Sequence, residues 1–292
     1  MTGHPESAGA GALSDLVRGA LDTLSDGERK VARALLAHYP IAGLETVAEL
    51  ARRASVSPPT VVRFVTRLGF GGYPEFQRRL MREVHERLGS PLEQYGRPEL
   101  HVADDGLARA ARILSAGVTG TIDALPQREF DVAVELLSDP RRPVSLVGGR
   151  FSRMLAQYLG SHLALLRPHT AVLEEGELGR LTAVSDLERR SVLVVFDYRR
   201  YDPEVVRLAR VASERGAAVV LFTDRWLSPA AEVATAVLPS DVHAPSPFDS
   251  LVPALALVEA VIAGVTARRG EAGRERIEQV EALRGAAAAR GR

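Results

Sequence analysis

The segment Asp197-Tyr198-Arg199-Arg200-Tyr201-Asp202 follows five apolar residues, Val192–Phe196, and precedes Pro203, where a helical pattern opens. Two guanidinium groups and two carboxylates directly after a buried run allow two readings. Arginine grips phosphate or carboxylate through paired hydrogen bonds, so the segment can hold a small anion. Alternatively Arg199 and Arg200 pair with Asp197 and Asp202 and seal the space. A second candidate lies at Val144–Arg153, where an apolar run ends in Gly148-Gly149-Arg150 and a helical pattern opens at Ser152. Free amides at a helix start favour anions, and a plain strand-to-helix turn is the simpler alternative. Proton transfer needs a well-placed histidine or carboxylate. His162, His169 and His243 sit in no motif, so catalysis has no evident carrier.

A third feature is basic. Between Arg52 and Arg82 stand seven arginines (52, 53, 63, 67, 78, 79 and 82) against one acid, Glu75. Such clustering is the electrostatic footprint of a phosphate-backbone binder. A solvated helix face would intersperse acids, and here they are missing.

The elements that must position these residues follow from periodicity. Leu13 to Thr23 reads as a short helix. Ser25, with Glu28 three residues on, caps a helix through Tyr39 that Pro40 stops. Thr46 caps Val47–Ala54, Ser57 caps the next helix with Pro58 at its first position, and Tyr73–Leu88 is amphipathic. After a stretch without periodicity, helices at about 107–125 and 130–138 precede five short apolar runs: Val144–Val147, Ala171–Leu173, Val192–Phe196, Ala218–Phe222 and Ala236–Leu238. Short unalternating runs between helices predict a parallel sheet covered on both faces. The expected organisation is a disordered tail at 1–12, an all-α helix-turn-helix domain at 13–88, a linker at 89–105, and an α/β doubly wound five-stranded parallel sheet within 106–292. A long apolar helix after Ser246 and Asp249 is expected to be buried, in a homodimer or within the chain.

The chain has 292 residues, no cysteine and a formal net charge of zero. Disulfides, thiolate metal sites and a cysteine nucleophile are thereby excluded. No apolar run reaches membrane-spanning length, and the polar start is no signal peptide, so a soluble cytoplasmic protein is expected.

The stretch TVAELARRASVSPPTVVRFVTRLGF, Thr46–Phe70, is the most specific one. Leu50, Ala51, Ala54, Val56, Val61 and Phe64 stand at the offsets that pack two helices around a tight turn, with Ser55 where glycine is usual. A recognition helix presents its N-terminal residues to base edges. Ser57, Pro59, Thr60 and Arg63 are therefore candidates for base or near-base contacts in double-stranded operator DNA. Arg52, Arg53 and Arg67 are candidates for phosphates.

LSDGERKVARALLAHYP, VAELARRASVSPPTVVRFVTRLGF and GYPEFQRRL together resemble the N-terminal domain of the RpiR family of bacterial transcriptional regulators. The resemblance implies a C-terminal sugar isomerase (SIS) domain that binds phosphosugars. In its pattern Gly-x-Gly-x-Ser, Gly148 and Ser152 match, while Arg150 replaces the second glycine. In its phosphate loop Ser-x-Ser-Gly-x-Thr, Asp197 and Arg199 replace the serines, Arg200 the glycine and Asp202 the threonine. The expected ligand set is Gly148, Gly149, Arg150, Ser152, Asp197, Tyr198, Arg199 and Arg200, for a small anionic metabolite, with no cofactor and no metal. The expected protein is a ligand-responsive regulator acting as a homodimer or dimer of dimers. The alternatives are an SIS enzyme fused to a DNA-binding domain and a constitutive DNA-binding dimer.

Overall fold

The computed structural model describes residues 13–88, 91–95, 106–173 and 176–290. The chain divides into two compact units, 1–90 and 91–292. The tail expected at 1–12 and most of the linker expected at 89–105 lie outside the described residues. Within that linker, Pro91–Tyr95 forms a short helix that the sequence does not announce.

The first unit is helical: α1 (Leu13–Ala20), α2 (Asp26–Ala37), α3 (Ile41–Leu44), α4 (Val47–Arg53), α5 (Pro58–Arg67) and α6 (Tyr73–Leu88). Two capping boxes fix its helix starts. The Glu28 carboxylate accepts from the Ser25 amide at 2.9 Å and hydroxyl at 2.7 Å. That of Glu49 accepts from the Thr46 amide at 2.8 Å, and the Glu49 amide donates to the Thr46 hydroxyl. Helix α4 closes with Val56 N–H donating to Ala51 O and Ser55 N–H to Arg52 O. That ending requires a left-handed residue, normally glycine. Ser55 takes the role at φ 53°, a conformation costing an L-residue about 1–2 kcal/mol. Val31, Leu35, Leu50, Val61, Phe64, Phe76 and Leu80 form the core beneath the turn.

The second unit contains α7 (Pro91–Tyr95), α8 (Gly106–Ala124), α9 (Gln127–Ser138), β1 (Val144–Gly148), α10 (Arg153–Leu166), β2 (Thr170–Val172), α11 (Glu177–Ser185), β3 (Val192–Phe196), α12 (Pro203–Glu214), β4 (Ala218–Asp224), β5 (Ala236–Ser240) and α13 (Val252–Arg290). Its strands pair in parallel in the order β2-β1-β3-β4-β5. All five residues of β3 are buried. Val192, Val194 and Phe196 pack into one apolar layer with α9, α10 and α13. Leu193 and Val195 pack into the other, with α12. Two-sided burial is why the strands read as continuous apolar runs.

Register places Gly148 beside Phe196 and Phe196 beside Phe222. The loops after β1, β3 and β4 therefore leave the sheet at one edge. Strand order reverses between β1 and β3, the place where open α/β sheets bind ligands. At the other end of the layer, Arg167 is fully buried and donates to Leu137 O at 2.9 Å, Pro168 O at 3.2 Å and, closer still, Arg142 O. It closes the C-terminal end of α9, and burial lowers its pKa to about 10. Helix α13 breaks at Gly270 (φ 50°, ψ −130°), a conformation open only to glycine. Just before and after the break, Arg269 and Arg276 donate to Leu166 O and Ala164 O, the last carbonyls of α10, both at 3.2 Å.

Candidate functional site

Helix α5 is held down by Val61, Phe64 and Val65 and shows Pro59, Val62, Arg63, Thr66 and Arg67 to solvent. Ser57 stands at its N-cap, but its hydroxyl bonds that of Thr60 at 3.0 Å instead of capping an amide. The expectation that Thr60 lies on the outer face is corrected. Thr60 is only 8% exposed, its hydroxyl takes a 3.1 Å bond from Arg63, and its methyl packs against Gly27 of α2. Thr60 thus orients Arg63 while its own surface is covered.

The flanking arginines differ among themselves. Arg67 reaches back to Thr23 O at 3.0 Å and to the buried Glu28 at 3.4 Å. It ties the end of α5 to the start of α2. Against its burial, the Ser25 hydroxyl and amide bonds, and then the Arg67 and Arg63 guanidinium groups, hold the Glu28 carboxyl below its ordinary pKa. Arg53 forms a two-pronged pair with Glu45 at the surface, and Arg52 is exposed on the same turn. Val62, 41% exposed between Pro59, Arg63 and Thr66, is a member of this face that charge counting misses. Its signal is an apolar residue out of phase with the buried stripe.

In the second unit the loops after β1 and β3 meet. The Ser152 hydroxyl donates to Phe196 O at 2.7 Å and accepts the Gly149 amide at 3.1 Å. Ser152 is buried, so it staples the two loops and its hydroxyl is already engaged. A Cβ at Gly148 would stand 2.7 Å from Arg153 N, so only glycine lets α10 start this close to β1. Arg150 is exposed, with its guanidinium 5.2 Å from the Phe151 ring. It does not take a left-handed φ, which is why arginine is tolerated where the resemblance puts glycine.

The loop after β3 keeps one glycine-like feature: Arg200, at the glycine position of the resemblance, has φ 67°. Of the two readings of the segment, pairing of its arginines with Asp197 and Asp202 does not form; their partner lies elsewhere in the chain. Asp197 is buried and accepts the Asp202 amide at 3.0 Å and, through its other oxygen, the Ser228 hydroxyl. Burial pushes its carboxyl up to about 6. Asp202 caps α12 by accepting the Glu204 amide. Tyr198 is buried, burial raises its hydroxyl's pKa, and that hydroxyl is 3.4 Å from the Ser240 hydroxyl. The arginines turn instead to Asp249, ahead of α13. Arg199 forms a close ion pair with it, and Arg200 lies 3.6 Å from its other oxygen. The Arg199 side chain, 6% exposed, also lies 5.8 Å above the Trp226 ring. Asp224, pushed up by burial, accepts Tyr201 O–H and Trp226 N–H, both at 2.9 Å. Trp226 and Asp249 complete this cluster from 27 and 50 positions downstream of Arg199, beyond the reach of local pattern.

Residues 12–87 match the helix-turn-helix domain of the rpiR family, and residues 136–264 match the SIS domain. The HTH-type transcriptional regulator HexR of Pseudomonas aeruginosa is 30% identical over 267 residues, covering 88% of this chain and 90% of HexR. The sugar isomerase domain of an RpiR transcription factor from Sphaerobacter thermophilus superposes with a TM-score of 0.57 at 24% identity, over 60% of this chain and 97% of that one. Vibrio vulnificus NanR, solved with ManNAc-6P, covers 93% of this chain and 97% of its own at a TM-score of 0.55 and 19% identity. These two structures share the fold. A helix-turn-helix unit of the rpiR type, an SIS unit behind it, and identity to HexR along nearly the whole length place the chain in the RpiR family of HTH-type transcriptional regulators.

Proposed function

We propose that the protein binds operator DNA through the outer face of α5 and adjusts that binding to a small anionic metabolite held by the SIS unit. The observation that carries the DNA half is the continuous exposed strip Pro59–Val62–Arg63–Thr66, with Arg63 steadied by Thr60. Arginine pairs with guanine and an apolar side chain meets the thymine methyl. Arg52 and Arg53 lie where phosphates would pass, whereas Arg67 acts first as a brace to Glu28. The effector half rests on Arg199 and Arg200 at the sheet edge, sharing one carboxylate. A phosphosugar is the first class to try, since the NanR structure contains ManNAc-6P. The unit acts as a sensor and not as an enzyme. His162 bonds a carbonyl of its own helix, and His169 stands at the strand-start edge, opposite the loops. Dimerisation through α10 fits its exposed row Met154, Tyr158 and Leu165, with Phe151 exposed just ahead of it. Cytoplasmic residence follows from the DNA-binding role. Among the described residues no helix is long and apolar enough to cross a membrane.

The test is a gel-shift series on duplexes selected from a randomised pool, with and without sugar phosphates and organic acids, on the parent and Arg63→Ala. Sequence-selective binding that Arg63→Ala weakens and a metabolite modulates is the expected result. Equal binding by both proteins removes Arg63 from the reading face. Indifference to every metabolite favours a constitutive regulator.

A further inference from the structure

We propose that Asp249 fills the anion subsite of the SIS unit from within the chain, and that a small dianion binds by displacing its carboxylate from Arg199. The inference rests on the reading of the β3 loop as an anion site, and adds a built-in competitor.

Charge is the first ground. One carboxylate oxygen of Asp249 pairs closely with Arg199 and the other lies 3.6 Å from Arg200. Both guanidinium groups meet at this one carboxylate, and Asp224, which accepts the Arg199 amide, is the second carboxylate that acts on Arg199. A phosphate monoester or a dicarboxylate would bring two charges where Asp249 brings one. The neighbouring carboxylates do other work. Asp197 holds Asp202 N–H and the Ser228 hydroxyl, and Asp224 holds Trp226 N–H, the Tyr201 hydroxyl and the Arg199 amide, so its hydrogen bonds go to groups other than the Arg199 guanidinium.

Unused donors are the second ground. Among the described residues, Arg199 Nε and Trp226 Nε1 are both buried without an acceptor, and Asp249 Oδ1 and Asp224 Oδ2 are likewise buried without a hydrogen-bond donor. Buried polar atoms almost always find partners, so this cluster of unmatched donors and acceptors marks a place whose hydrogen bonding is left incomplete by the chain alone. Guanidinium groups of Arg199 and Arg225 lie 5.8 and 4.5 Å from the Trp226 ring centre. The indole is thus the aromatic surface on which these two cations rest.

The third ground is where Asp249 sits. It belongs to the irregular segment between β5 and α13, and its neighbour Phe248 is 63% exposed. Releasing its carboxylate breaks no helix or strand. Arg199, by contrast, sits in the loop directly after β3. The mobile partner is therefore the acid, and the fixed partner is the cation that stays to receive a ligand.

A competitor lowers apparent affinity by the fraction of time it holds the site. The experiment is isothermal titration of the full chain with inorganic phosphate, and separately with succinate, on the parent, Asp249→Asn, Arg199→Gln and the double variant. Asp249→Asn is expected to bind one of the two probes about tenfold tighter or more than the parent, and the double variant to lose that gain. If Asp249→Asn is too unstable to titrate, the same probe should raise its melting temperature by more than the parent's. Asp249→Asn binding neither probe more tightly, and gaining no more stability from either, overturns the proposal. If Arg199→Gln abolishes binding while Asp249→Asn changes nothing, the anion site stands and the competitor falls. If no protein binds either probe, both readings fall.

Discussion

Arginine is used in opposite ways by the two units. On α4 and α5, Arg52 and Arg63 stand in solvent, Arg63 bonds the Thr60 hydroxyl, and Arg53 pairs with Glu45 at the surface. At the sheet edge, Arg199 is buried, paired with Asp249 and set over Trp226. Residue type is the same and availability is not. An exposed guanidinium keeps its hydration until a phosphate or base displaces it, whereas a buried one must be neutralised by the fold itself. Whether a cation can serve a partner is therefore decided by what already holds it.

The contrast can be broken most directly by stability. Asp249→Ala strands a buried guanidinium and should cost about 3–5 kcal/mol in urea unfolding of the second unit. Arg53→Ala removes a surface pair and should cost less than about 1 kcal/mol. Equal losses would erase the distinction between the regions. A second probe is pH. Asp197 has its pKa raised to about 6 by burial, so the folded state holds that proton more tightly than the unfolded chain. The resulting stabilisation is complete below the ordinary carboxylate pKa and is lost as pH rises through 6, amounting to about 3 kcal/mol at most. Parent minus Asp197→Asn, measured by thermal unfolding from pH 4 to 8, should show that decline.

In the first unit the effects should appear in binding and leave stability untouched. Arg63→Ala should cost about 1–3 kcal/mol on the selected duplex, with discrimination relaxed at one base pair. Val62→Ala should cost about 1 kcal/mol if two methyl groups leave an apolar contact. Uracil replacing thymine at the contacted position should abolish that difference. Arg52→Ala should reduce the slope of log affinity against log salt by about 1, equally for all sequences.

The helices of the first unit were legible because their starts carry side-chain caps. Ser25 with Glu28 and Thr46 with Glu49 mark them in four residues each. The five strands were legible because burial on both faces leaves nothing polar to interrupt them. The short α3 just after Pro40, and α11, lack such marks. Pairing across the site was not legible at all. Asp249 lies fifty positions from Arg199, and nothing near either residue selects it over Asp197 or Asp202, which geometry commits to Ser228 and to the start of α12. Thr60 misled for a local reason: it follows two prolines on a face that looks outward, and Gly27 is small enough to let α2 cover it.

Helix α13 begins three residues after Asp249 and is tied by Arg269 to the end of α10. From Val252 to Arg269 it is an uninterrupted rod, about 27 Å long at 1.5 Å per residue. A rod anchored at both ends converts a small pull at one anchor into a push or twist at the other. Beyond Gly270 the chain returns to the same end of α10, through Arg276 on Ala164 O. Here an event at the sheet edge has a mechanical address, the far end of α10, and that is where a strain gauge would be placed.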